Sequence, residues 1–316
     1  MNHVPDAERA DYISRCLELA VLFEVSGYPK PGNVHRTADF AETRYEHFLA
    51  SAVSVAPSFK RAAEQGINVS EKTIVPSEVG VGNIIRGAVD RMLGSQGGGN
   101  TLLGAIILLV PIAAAAGMTG NSFSLSRLRE NIGVVVESTT PEDAVAVYDA
   151  IARVGPGGLN QSSELDVTDP ASKRRILDEG VTLLDTFKIA SSYDSVASEW
   201  TNNYPITFNL GYPYLVKQLE ETGDINTATV HTYLKILAEV PDTFISRKAG
   251  QAKAESISAK AERVLKEGGL ATPLGRSLLQ KLDSKLRDPE NKLSPGTTAD
   301  ITEAVLAINN LNGYKP

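Results

Sequence analysis

A single cysteine in 316 residues, a deficit of basic side chains and the lack of any repeat or low-complexity stretch each close off a class of function. Cys16 on its own can form no internal disulfide and leaves little room for a zinc site, and its place in an apolar helical pattern makes it a core residue. Lysine and arginine number 31 against 38 aspartates and glutamates, giving a net charge of −7 and an isoelectric point near 5.3. That balance argues against a nucleic-acid binder working through bulk electrostatics, so any phosphate the protein handles must be met by local cations. The first residues, with Asp6, Glu8 and Asp11, show neither the basic stretch nor the apolar run of a signal peptide, and a cytoplasmic location is the expectation. With no linker and no recurring period, one domain over 1–316 is the simplest organisation.

What is present is helical pattern broken by Gly, Pro and Asn. At 42% hydrophobic and 22% charged residues the composition is that of an ordinary globular chain long enough to bury a substantial core. Residues 8–26 place Ile13, Leu17, Ala20, Val21 and Glu24 near one stripe, with Asp6 available as an N-cap. Further helices are expected at 43–65, 77–94, 101–117, 124–137, 141–153, 171–199, 207–222, 227–240, 243–267, 274–286 and 298–312. Thr140-Pro141-Glu142-Asp143 and Asp169-Pro170 have the cap and first-turn proline that open helices. The run Val134, Val135, Val136 is too short to found a sheet, and the chain reads as all-α. Thr101 to Met118 is uncharged and close to the length of a bilayer span. Its proline, its glycines and the lack of a second such segment favour a central helix buried on all sides, and no membrane partner is expected.

Four loop clusters could carry chemistry. The first spans 24–39 and packs Pro29-Lys30-Pro31-Gly32-Asn33-Val34-His35-Arg36 behind Glu24, with Asp39 following. Prolines stiffen the loop, Gly32 allows close backbone approach, and Lys30 and Arg36 bring positive charge. The second, Gly97-Gly98-Gly99-Asn100-Thr101, opens the apolar helix, where free amides and the helix dipole suit an anion. It is not a Walker A loop, because no Gly-Lys-Ser/Thr follows. The third, Pro241 to Gly250, sets the capping carboxylate of Asp242 one turn before Arg247 and Lys248. The fourth, Ser294 to Asp300, leads a turn into a helix with Asp300 in its first turn. Each alone is explained by local structure, as a turn or a helix cap; together they read as a site.

These segments resemble the triphosphoribosyl-dephospho-CoA synthases, which make the prosthetic-group precursor of citrate lyase and malonate decarboxylase. Glu24 through His35 is similar to that family's Glu…Pro-Lys-Pro-Gly segment, and Gly99-Asn100-Thr101-Leu102-Leu103-Gly104 to its Gly-x-Asn-Thr-x-x-Gly. Asp242-Thr243 with Arg247 and Gly250, and Pro295-Gly296 with Ala299-Asp300, resemble its later motifs. Leu102 and Leu103 stand where the bacterial synthases have a His and a basic residue, and Asn33-Val34-His35 replaces their Leu-Val-Asp. The segment from Gly157-Gly158-Leu159-Asn160 to Asp166-Val167-Thr168-Asp169 is similar to an archaeal branch.

The resemblance implies a helical, magnesium-dependent transferase that breaks the bond between ribose C1 and adenine of ATP and passes the triphosphoribosyl group to the 2′-hydroxyl of dephospho-CoA. On it, Lys30, Arg247 and Lys248 hold phosphates, with Gly32, Asn33, Gly98, Gly99, Asn100 and Thr101 contributing. Glu24, Asp242 and Asp300 are candidates for Mg²⁺ ligation or charge stabilisation, and Glu24 and Asp242 also for catalysis. His35 and Asp39 are candidates for the general base or for the donor to adenine, with a structural role equally open to His35. Three other readings compete: the same nucleotide chemistry with another acceptor, hydrolysis of ADP-ribose as in the helical glycohydrolases, and nucleotide sensing without turnover. A homodimer is compatible with the apolar faces of so many helices.

Overall fold

Residues 6–120, 123–155 and 164–316 are described by the computed structural model, and among them all regular structure is helical. The stretch Gly157 to Asn160 lies outside the described residues. The first half holds α1 (Asp6–Ser26), α2 (Tyr45–Ser70), α3 (Val81–Ser95), α4 (Leu103–Met118), α5 (Leu125–Glu137) and α6 (Pro141–Val154). Three shorter helices follow, α7 (Pro170–Glu179), α8 (Leu183–Ala190) and α9 (Ser195–Thr201), and a π-helical turn at Ile206–Gly211 leads into α10 (Tyr212–Thr222). The chain ends with α11 (Ile225–Glu239), α12 (Thr243–Ala249), α13 (Gln251–Lys266), α14 (Pro273–Leu286) and α15 (Gly296–Leu311).

The local signals explain most of these boundaries. Thr140 and Asp143 form a reciprocal capping box at α6, and Asp169 accepts the Ala171 amide at α7. Two expected helices are broken. The pattern over 171–199 is three helices, because Gly180 turns left-handed at φ +68° and Thr182 and Asp194 open new helices as N-caps. The pattern over 243–267 is two, because Gly250 sits at φ +90°, where a side chain is disfavoured. Asp6 lies inside the first turn of α1 rather than capping it, where its charge still favours the helix dipole.

α4 is the axis of the larger core. All but two of its sixteen residues are buried, and α1, α2, α3, α5, α9 and α15 pack around it. Its small residues let backbones touch: a Cβ on Gly66 of α2 would stand 1.8 Å from Ala114 O, and one on Gly117 would stand 2.2 Å from Ala63 O. Pro111 has no amide to give to the Ile107 carbonyl one turn back, and Trp200 Nε1 donates to that carbonyl at 3.1 Å instead. No described helix is long and apolar enough to cross a membrane, which settles Thr101 to Met118 as a buried rod. A second, smaller apolar cluster joins α11, α12, α13 and α14, and α15 packs on both, with Ala304 in the first and Ala299 in the second.

Candidate active site

The N-terminal ends of α4, α9, α12 and α15 and the C-terminal end of α1 surround a cavity of about 1010 Å³. Residues of all four sequence clusters border it: Glu24 and Asn33 from the first, Asn100 and Thr101 from the second, Arg247 from the third and Asp300 from the fourth. Folding therefore brings together segments up to some 270 positions apart, roughly the span from Glu24 to Asp300. Among the described residues, six carboxylates border the cavity (Glu24, Glu164, Asp166, Asp194, Asp300 and Glu303) against a single cationic side chain, Arg247.

One wall is acidic, with Glu24 and Glu303 buried and Asp300 half-buried. Glu24 takes a short hydrogen bond from Lys30 Nζ on Oε1, which leaves Oε2 for the cavity. Asp300 Oδ1 accepts the Ala105 amide at 3.0 Å, so this side chain caps α4 from across the fold. One turn along α15 lies Glu303, whose Oε2 is buried without a hydrogen-bond partner. Burial, then Glu24 and Asp242, push the Asp300 carboxyl well above the usual carboxylate range. Burial, then Glu24 and Asp300, do the same to Glu303, against the opposing pull of Lys30. Glu303 escaped the sequence reading; the signal was a second acid three residues after Asp300 in a helix with no other charged residue.

The anion-binding end expected at α4 is mostly filled by the protein's own acceptors. Leu103 N donates to Asn100 Oδ1 at 3.1 Å, Ala105 N to Asp300, and Leu102 N to Met92 Sδ. That leaves the Gly104 amide, at the cavity, as the remaining donor of the first turn. Gly98 and Gly99 do not border the cavity. The Gly98 amide is taken by Gln96, the Gly99 carbonyl accepts from Gln96 Nε2 at 2.8 Å, and a Cβ on Gly98 would strike the His47 ring. These two glycines shape the loop and lie away from the cavity.

Of the three expected phosphate cations only Arg247 reaches the cavity, where it pairs with Asp194 Oδ2 at 2.6 Å. Lys248 lies over the Phe244 ring, 4.0 Å from its centroid, and Lys30 is wholly buried behind Glu24. His35 also faces away: its Nδ1 meets Thr37 Oγ1 at 3.1 Å and its Nε2 lies 3.7 Å from Asp283 on α14. Asp39 is exposed and accepts the Tyr45 amide at the start of α2. Gly32, at φ +73°, gives its amide to Asp283 and leaves no room for a side chain beside Leu286. Asn33 holds its own loop through Val34 N while bordering the cavity.

Asp242 does structural work. Its Oδ1 accepts the Phe244 and Ile245 amides of α12, and its Oδ2 accepts Thr298 N and Thr298 Oγ1, each at 2.8 Å. It thus ties α12 to α15 without touching the cavity, and burial raises its carboxyl against the pull of these donors. The expected magnesium set of Glu24, Asp242 and Asp300 accordingly does not assemble, and among the described residues no group of three or more His, Cys, Asp or Glu is placed to hold an ion. Magnesium, however, needs only one or two carboxylates where phosphates and water complete its shell. Glu24 and Asp300, each with one oxygen left over at the cavity, fit that smaller share.

Comparison with known proteins places this helical architecture among the transferases. Over residues 10–316 the chain matches the family CitG, ATP:dephospho-CoA triphosphoribosyl transferase, and it belongs to that family. The 2-(5″-triphosphoribosyl)-3′-dephosphocoenzyme-A synthase of Klebsiella pneumoniae is 25% identical over 296 residues, covering 92% of this chain and 88% of the relative. A Pseudomonas fluorescens protein provisionally given the same name is 26% identical over 294 residues, with the same two shares. A crystal structure from Archaeoglobus fulgidus, provisionally described as a triphosphoribosyl-dephospho-CoA synthase, has a TM-score of 0.62 at 22% identity over 84% of this chain and all of its own, a likeness of fold.

Proposed function

We propose that the chain carries out its family's reaction: it moves the 5-triphosphoribosyl group of ATP to the 2′-hydroxyl of 3′-dephospho-CoA and releases adenine. The observation that carries this reading is the convergence of the four sequence clusters on one cavity, at the upper end of the usual ligand-site range and roomy enough for two nucleotide-sized substrates. In the reaction the bond from ribose C1 to adenine breaks, a bond from C1 to the acceptor oxygen forms, the hydroxyl gives up a proton and adenine gains one. Positive charge grows on the sugar as adenine leaves, and Glu24, on the cavity wall, stabilises it. Glu303, whose Oε2 is buried without a hydrogen-bond partner, is the carboxyl that carries a proton in this reading. Arg247, released from Asp194, takes a phosphate.

Charge gives the reason for magnesium in this reading. Even with the Asp300 and Glu303 carboxyls held toward their neutral form, the four other carboxylates that border the cavity among the described residues outweigh Arg247, so an entering triphosphate is repelled unless a cation comes with it. Mg²⁺ bound to the phosphates would supply that charge, with Asp300 as its carboxylate ligand while Glu24 faces the sugar. The chain acts as one domain here, since α15 carries Asp300 and Glu303 while packing on both apolar clusters.

Purified protein with ATP, Mg²⁺ and dephospho-CoA tests the proposal, with adenine followed by chromatography. Adenine should appear only when all three are present. Adenine without the acceptor would mean hydrolysis, and ATP binding with no adenine under any condition would overturn the assignment of the acceptor.

A further inference from the structure

Lys30 is the sequence's natural phosphate ligand, yet the fold turns it away from the cavity. An ammonium has three donors. One goes to Glu24 Oε1 and one to the Glu24 carbonyl at 2.9 Å, while the face of Tyr233 covers the nitrogen at 5.9 Å from the ring centroid. The side chain is 0% exposed and does not border the cavity. The backbone on either side is tied down as well. Tyr233 Oη donates to Pro31 O at 3.0 Å, the Gly32 amide to Asp283 Oδ1 at 2.9 Å, and Arg287 Nη2 to Asn33 O at 2.8 Å. Lys30 could reach a phosphate only by breaking that lattice of bonds and leaving Glu24 buried and unpaired.

We infer that Lys30 is a positioning residue for Glu24 and not a phosphate ligand. It grips the last turn of α1 twice, by side chain and by carbonyl, and so selects the oxygen that Glu24 presents to the cavity. The last turn of α1 has no basic residue of its own, and Lys30 supplies the cation that the C-terminal end of a helix favours. The rigid Pro-Lys-Pro-Gly turn then has a physical purpose, to drive a lysine inward against a carboxylate. The inference rests on the proposed function only in taking Glu24 to face the reacting sugar.

Three variants decide it: Lys30→Met, Glu24→Gln and the two combined. Adenine release gives kcat, equilibrium titration with Mg·ATP gives Kd, and denaturant unfolding gives stability. Lys30→Met should lower kcat about 100-fold or more, as the loss of a transition-state interaction does, with Kd for ATP within about threefold of wild type. The double variant should be no slower than the slower single one, because both remove the same interaction. A Kd weakened tenfold in Lys30→Met or in the double variant, or rate losses that multiply, would overturn the inference. Should Lys30→Met fail to fold, the double variant carries the test, since it leaves no buried charge without a partner. If wild type releases no adenine, the proposed reaction falls and the ATP titrations still judge Lys30. If it binds no ATP at all, the stability cycle judges it: strong coupling of Lys30 to Glu24 upholds the pairing, and additive losses overturn it.

Discussion

Gly104 and Asp300 fit together only because the glycine has no side chain: a Cβ on Gly104 would stand 2.1 Å from Asp300 Oδ2. The carboxylate thus lies across the first turn of α4, accepts the Ala105 amide, and shares the cavity wall with Glu24 and Glu303. A backbone feature of one motif and a charge of another, 196 positions later, form one structural unit.

Gly104→Ala should therefore behave as an active-site mutation although it removes no functional group. The added methyl forces Asp300 off its hydrogen bond, an overpacking strain of about 1–3 kcal/mol. Adenine release should fall by at least about tenfold, and the unfolding midpoint should drop; wild-type values of both would show that the wall can shift at no cost.

Asp242→Asn should destabilise the fold and leave the metal requirement as it was. All four neighbours of the carboxylate are donors, so whichever way the new amide turns, its NH₂ meets N–H or O–H groups. A loss of about 1–3 kcal/mol is expected in denaturant unfolding. A stable variant whose activity needs markedly more Mg²⁺ would make Asp242 a metal ligand after all.

Glu303→Gln should slow turnover by roughly 100-fold, the scale of proton-transfer catalysis, while leaving the fold intact. It should also change how stability depends on pH. The Glu303 carboxyl is raised in the folded state, so its contribution is complete below the ordinary glutamate range and is lost as pH rises toward its folded value. Measured in metal-free buffer, the variant should gain on wild type at pH 8 relative to pH 5. A parallel pair of curves would contradict the raised carboxyl.

Arg247→Met should raise KM for ATP by about tenfold or more, in keeping with about 1.5–3 kcal/mol for a hydrogen bond to a charged group. Lys248→Met should change it little, because that ammonium sits over Phe244 outside the cavity. Steady-state kinetics on the two variants separates them, and equal effects would mean that both cations reach the phosphates.

Much of the architecture could be read from local signals. The apolar run at α4, the capping box at Thr140 and the Asp169-Pro170 start are short-range effects that act before any tertiary contact forms, and each appears where the pattern predicts. The helix breaks at Gly180 and Gly250 were less legible, because a glycine in a helical pattern shows its positive φ only once the chain is folded. For the site, the four motifs were visible as segments, but which of their side chains face one another was not.

The sequence by itself determined the helical class, the buried α4 rod and the presence of four polar loops, since periodicity, capping and charge are properties of neighbouring residues. Tertiary structure alone decided their direction. It turned Lys30 inward onto Glu24, bound Asp242 between two helices, aimed His35 at α14, and left Glu303 beside Asp300 with an unpaired oxygen. Direction is set by packing between elements distant in the chain, and a buried charge takes its meaning from the partner that the fold places beside it.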